Sequence, residues 1–144
     1  MTAANTIIEA LGMQRHPEGG WYVETWRDGA GPDGRSRGTA IYYLLEAGDR
    51  SHWHRVDATE IWHWHAGEAL QLDLSEDGVV QTRIMLGPDI ASGQRPQGIV
   101  KPHVWQSASP CGAWTLVSCT VTPGFEFSGF EMAPPGWTPG QPLD

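Results

Sequence analysis

The sequence predicts an all-β fold, a single β-sandwich or jelly-roll barrel preceded by one short helix. Three observations support this. The 144 residues include 18 glycines, 11 prolines and 8 tryptophans, a turn-rich, aromatic composition that favours short strands over long helices. Apolar or alternating stretches follow one another at close spacing along most of the chain. The length allows one domain with a real core but is too short for two.

The elements follow in order. Residues 2–12 predict the helix: Thr2 or Asn5 can cap it, Ile7, Ile8 and Leu11 share one face, and Gly12 suits its stop. His16-Pro17-Glu18-Gly19-Gly20 breaks any helix and leads into a strand over Trp21 to Trp26. The polar, glycine-rich stretch 29–38 reads as an exposed loop. Strands are expected near 39–45, 51–55, 60–65, 69–74, 79–85, 99–106, 114–121 and 125–132. Residues 69–74 alternate cleanly, so one face is buried, and Glu76-Asp77-Gly78 supplies a hairpin turn. The whole of 1–144 is one domain, with the barrel over 13–133 and a tail over 134–144.

Composition excludes several function classes. A net charge of −8 without a basic cluster argues against nucleic acid or an anionic membrane as partner. No window has the length and apolarity of a membrane span, and the N-terminus lacks the pattern of a secretory signal. Two cysteines, Cys111 and Cys119, are too few for a disulfide framework. They read as buried free thiols in a cytoplasmic protein.

The chemistry concentrates in Ser51-His52-Trp53-His54-Arg55-Val56-Asp57-Ala58-Thr59-Glu60-Ile61-Trp62-His63-Trp64-His65. Two His-Trp-His triplets flank one glutamate. The polar connection at 55–59 makes 51–55 and 60–65 look like the arms of a hairpin. Side chains alternate along a strand, so His52 and His54 share a face, as do Glu60, Trp62 and Trp64, while His63 and His65 point away from Glu60. If histidines and a glutamate converge on one ion, the pair is His52 and His54. Such a set suits iron, nickel, manganese, zinc or copper and does not choose among them.

The stretch resembles the first motif of the cupin superfamily, Gly-x5-His-x-His-x3,4-Glu-x6-Gly, and runs here as Gly48-x3-His52-x-His54-x5-Glu60-x6-Gly67. Two gaps differ by a residue or two, which loops absorb cheaply. The second motif is degenerate. A register through Pro96 and Gly98 places Lys101 at the ligand position, which cannot bind a metal as an ammonium. The register Lys101-Pro102-His103-Val104-Trp105-Gln106 places Gln106 there instead. A narrower resemblance, to the cupin-5 family, covers nearly the whole chain. Its matching stretches are His16-Pro17-Glu18-Gly19-Gly20-Trp21-Tyr22 with Glu24, Trp53-His54-Arg55, Glu60-Ile61-Trp62-His63, Val104-Trp105-Gln106 and Pro123-Gly124-Phe125. In that family the position of His52 is often not histidine.

The resemblance implies a cupin jelly roll and a small-molecule site at the barrel mouth. His52, His54, Glu60 and Gln106 are the expected metal ligands, with His103 as the alternative fourth. Glu60 and His54 are the expected catalytic groups. Trp62, Trp64, Trp105 and His103 are expected to line the site. Glu18 and Glu24 read as a solvated face unless the N-terminal strand closes the mouth, in which case Glu24 contacts substrate. Three readings follow. One is a divalent-metal enzyme, an isomerase or epimerase, lyase or dioxygenase, acting on a small oxygen-rich, sugar-like or keto-acid substrate. The second is a metal-free site that binds or epimerises a sugar-like ligand through a histidine base. The third is a non-catalytic binding or storage module. A homodimer is expected, because open sheet edges gain from cover and the exposed faces would carry Trp53, His63 and His65.

Overall fold

The computed structural model describes residues 2–143, which form one α-helix, two single-turn 3-10 helices and eleven strands, the strands in two facing antiparallel sheets. The helix α1 (Ala3–Leu11) begins at Thr2, whose hydroxyl accepts from Asn5 N–H at 3.1 Å, and stops at Gly12. It lays Ile7, Ile8 and Leu11 over Leu44, Trp21 and Trp114, covering the outside of one sheet. No helix among the described residues is long and apolar enough to cross a membrane.

The strands are β1 (Gln14–Arg15), β2 (Trp21–Arg27), β3 (Thr39–Glu46), β4 (Ser51–Val56), β5 (Thr59–Gly67), β6 (Leu70–Ser75), β7 (Thr82–Leu86), β8 (Gln97–Val100), β9 (Trp105–Pro110), β10 (Trp114–Thr122) and β11 (Phe130–Met132). One sheet has the order β1-β2-β3-β10-β5-β8 and the other β11-β4-β9-β6-β7. The sheets do not close into a barrel, so the sandwich alternative describes the molecule. Between them lies a core that includes Tyr43, Leu45, Trp62, Leu70, Leu72 and Val117. The alternation read at 69–74 is β6, with Leu70 and Leu72 fully buried.

Three sequence expectations are corrected. The stretches 51–55 and 60–65 are not a hairpin: β4 pairs with β9 and β11, whereas β5 pairs with β10 and β8. The chain crosses between sheets at Asp57 and Ala58, so the two triplets sit in different sheets. The strand expected over 99–106 is two strands. Pro102 and His103, the latter at φ 68°, break the ladder, and β8 and β9 join opposite sheets. The early part of 79–85 is a turn instead, in which Asp77 Oδ1 accepts from Val79 and Val80 N–H at 2.8 and 2.9 Å.

Trp53 is also not on an exposed face. It is 1% exposed, packed with Trp105, Ala133 and Trp137 beneath the tail. Trp137 meets Trp53 edge-on at 6.0 Å and Trp105 at 5.0 Å. The ring nitrogen of Trp53 is buried there without a hydrogen-bond partner, so apolar burial rather than polar pairing holds this seam. Trp137→Ala should therefore lower stability by about 3 kcal/mol, read as a fall in the urea midpoint. An unchanged midpoint would show that the tail adds nothing to the fold.

Candidate functional site

The turn His16–Gly20 is the feature that makes the site. Gly19 at φ 112° and Gly20 at φ 77° take backbone angles that side-chain-bearing residues rarely adopt, and a Cβ on Gly19 would lie 2.0 Å from Arg50 O. This close approach lets Glu18 O accept from His52 N–H at 2.8 Å, docking the turn against β4. The Glu18 side chain is carried between the sheets. Glu18 is thus buried, which corrects its reading as a solvated face.

A bulge in β4 decides which neighbours Glu18 meets. Ser51 pairs with Ala108 and His54 with Gln106, so three residue steps on β4 span two on β9. Ser51 and His54 are both buried on the inner side, against Glu18. His52 is displaced from them, and its Nε2–H donates to Pro134 O at 3.0 Å in the tail. The expectation that His52 and His54 share a face is thereby corrected. The parity of β5 holds: Glu60 and Trp62 are buried inside, and His63 and His65 face out, bonded to Thr120 and Ser118.

The result is a cavity of about 340 Å³, with His16, Glu18, His54, Glu60 and Cys119 in its deep part. Tyr22, Phe125 and Phe127 wall it, and Glu24, Arg27 and Glu126 stand at the mouth. Glu60 Oε1 accepts from Gln106 Nε2 at 2.9 Å, and Gln106 Oε1 accepts from Trp62 Nε1 at 2.8 Å. Glu18 Oε2 accepts from Ser51 Oγ and lies 3.3 Å from Tyr43 OH.

The two imidazoles hold their protons oppositely. His54 Nδ1 donates to His52 O at 2.8 Å, leaving Nε2 as its basic nitrogen, 3.6 Å from Glu18 Oε2. His16 Nδ1 accepts from Glu18 N–H at 3.1 Å, so its proton sits on Nε2. The 3.4 Å approach of His16 Nδ1 to Glu18 Oε1 is accordingly a contact rather than an ion pair. Burial pushes both histidines below their ordinary value, against the pull of Glu18 on His16 and of Glu60 on His54. Burial pushes the Glu18 carboxyl up. It raises Glu60 to about 7, with His54 opposing and Glu18 reinforcing the shift.

The residues foreseen as ligands divide. His54 and Glu60 line the cavity, Gln106 is committed at both ends of its amide, and His52 points elsewhere. These four do not fit a common ion, and no group of three or more His, Cys, Asp or Glu among the described residues is placed to hold one. His103 lies in the exposed turn before β9, beside Asp57 and Glu131. Trp105 stands on the opposite face of β9 from Gln106, under Arg55 at 4.4 Å. Trp62 supports Gln106 from the core, and Trp64 bonds Glu68 O at 2.9 Å, so neither forms the cavity wall. Glu24 does line the mouth. Sequence reasoning missed His16, Glu18, Ser51, Tyr43 and Cys119. The signal for the first two was the His-Pro-Glu-Gly-Gly run, whose glycines announce a close backbone approach. Cys119 is a buried free thiol, while Cys111 is free but exposed, unlike its expected burial.

Residues 5–133 match the model of a family described as Cupin superfamily (DUF985). The chain is similar to an X-ray crystal structure of a protein from Shewanella oneidensis, at 36% identity and a TM-score of 0.87, covering 92% of this chain and 85% of that one. It is also similar to a hypothetical protein from Leishmania major, at 31% identity and 0.82, covering 90% and 86%. A dTDP sugar isomerase from Desulfovibrio desulfuricans G20 shares the fold alone, at 15% identity and 0.61, covering 85% and 93%. No curated protein matches the chain.

The raised Glu60 carboxyl makes stability depend on pH. Between about pH 4.5 and 7 the unfolded chain has released this proton and the folded chain still holds it, so stability falls as pH rises, by roughly 3 kcal/mol in all. His16 and His54, held low, act in the opposite sense, so the readout is the difference from Glu60→Gln. Urea melts across pH 4 to 8 should show that difference growing to about pH 7 and then levelling. A constant difference would mean that Glu60 ionises normally.

Proposed function

The chain belongs to the cupin-5 family (DUF985) of the cupin superfamily, and from that premise we propose that it is an isomerase or epimerase of a small carbonyl compound, working by proton transfer in the cavity between the sheets. The observation that carries this reading is the deep pairing of His16 and Glu18 with His54 and Glu60, two carboxyls and two oppositely protonated imidazoles around one enclosed space. Such an array suits removal of a proton from carbon next to a carbonyl and its return elsewhere.

Glu60, near 7, ionises where a general base is most effective, and Gln106 holds its carboxylate in place. It takes the C–H proton, and the bonding electrons move into the carbonyl to give an enediolate. His16, with its proton on Nε2, supplies the proton that this oxygen accepts. His54 Nε2 is the second basic atom of the cavity and shares the proton load with Glu18. Return of the proton from Glu60 to the neighbouring carbon, as His54 Nε2 takes the proton of the adjacent hydroxyl to form the new carbonyl, gives isomerisation; return to the original carbon on its other face, with His16 taking back its proton, gives epimerisation. A dTDP sugar isomerase is among the proteins built on this fold.

The test is exchange of substrate C–H for deuterium in heavy water, followed by NMR over a panel of aldoses, ketoses and hydroxyketones. Glu60→Gln should slow exchange about 10²–10⁴-fold, and His54→Ala should also weaken it, whereas His63→Ala should leave it nearly unchanged. Exchange that survives Glu60→Gln would remove the base from the mechanism.

Assembly belongs to the same proposal. The edge strand β8 leaves Ile99 57% exposed, and an open edge of this kind favours pairing with a second copy. Light scattering at micromolar concentration should give a dimer. A monomer would count against it.

A further inference from the structure

Outside its deep histidine and glutamate pairs, the cavity meets charge only at its mouth. Arg27 is the one lysine or arginine among its lining residues. That guanidinium is already committed: Nε donates to Glu24 Oε1 at 2.7 Å, and Nη2 to Glu24 Oε2 at 3.3 Å and Phe125 O at 3.1 Å. Glu126, also at the mouth, takes part in no ion pair among the described residues. Deeper in, Glu18 and Glu60 are both acids, and the imidazoles beside them keep neutral tautomers. The one cation of the cavity is thus cancelled by Glu24, and Glu126, joined by Glu60 once it ionises, adds negative charge that no lining cation matches.

The wall matches this balance. Phe125 and Phe127 meet edge-to-face at 5.0 Å, and Tyr22 packs on His16 at 4.6 Å. Aromatic faces accept C–H groups and ammonium cations but offer nothing to an anion. A phosphate or carboxylate entering the cavity would lose its water and find no free counter-charge, the costliest way to bury an ion.

We propose that the cavity selects its occupant by charge: it takes an uncharged polar molecule or one bearing an ammonium group, and rejects phosphorylated, nucleotide-linked and carboxylated compounds. This rests on the cavity being the substrate site, and it narrows the carbonyl substrate to a non-anionic one. Glu24 is the specificity-determining residue, because it keeps Arg27 from serving as an anion receptor.

Three probes of matched size and different charge test it, benzylamine, benzyl alcohol and benzoate. Binding to the full chain at about pH 8 is read from shifts of the His16 and His54 imidazole resonances in NMR titrations. Benzylamine and benzyl alcohol should bind at least about tenfold more tightly than benzoate. Glu24→Gln, which frees Arg27 at an exposed position, should raise benzoate affinity by about tenfold. Benzoate binding as tightly as benzylamine, or no gain in Glu24→Gln, overturns charge selection and leaves the proton-transfer reading intact. Failure of all three probes to move either histidine at about 10 mM overturns both, since the cavity would then not be a small-molecule site.

Discussion

Two carboxyl groups buried in one cavity are the constraint around which this sandwich is arranged. Burial raises the proton affinity of both Glu18 and Glu60, Glu18 adds to the rise at Glu60, and both have lost most of their water, so each needs donors from the protein. Glu60, on β5, is met by Gln106 of β9 in the facing sheet, and Gln106 is in turn met by Trp62 of β5. A hydrogen-bonded bridge therefore spans the two sheets through an otherwise apolar core. Glu18 is met by Ser51 of β4 and Tyr43 of β3, again one from each sheet. Removing one partner would leave a buried group unpaired, at about 1–3 kcal/mol, so these polar pairs also fix how the sheets face each other.

Burial of Glu18 needs a backbone that no ordinary strand provides. The turn at Pro17–Gly20 comes so close to Arg50 that only glycine fits at Gly19, and the contact from Glu18 O to His52 N–H locks it. That contact uses the bulged segment of β4, where His52 is released from regular pairing with β9. The glycine pair and the bulge thus serve one end, bringing an N-terminal turn into the space between two sheets. The same arrangement places His16 against Tyr22 and closes the side of the cavity.

These particulars mark where the sequence was legible. Period-two alternation correctly separated Glu60 and Trp62 from His63 and His65, because β5 pairs in regular register with β10 from Thr59 to Trp64 and its bulge comes only at His65. The helix and its stop were legible because capping chemistry is local. The same parity argument failed for His52 and His54, since one inserted residue reverses a strand's faces and no residue type announced it. The supposed hairpin failed because a polar connection joins strands equally well within a sheet and across a sandwich. Glu18 failed because burial of a carboxylate depends on donors more than twenty residues away, which only the assembled sheets bring together.

The duplicated His-Trp-His resolves into unequal parts for a related reason. His54 gives the cavity an imidazole, whereas His52 gives it two backbone groups: an N–H that holds Glu18 and a carbonyl that holds the proton of His54 on Nδ1. The tautomer of His54, and with it the basic nitrogen facing Glu18, is therefore set by the main chain of its neighbour. Any residue that tolerates the bulge can supply that carbonyl. The His52 imidazole, turned to Pro134, is free to serve the tail instead. A position whose side chain is turned away from the cavity can in this way still decide the protonation of the site.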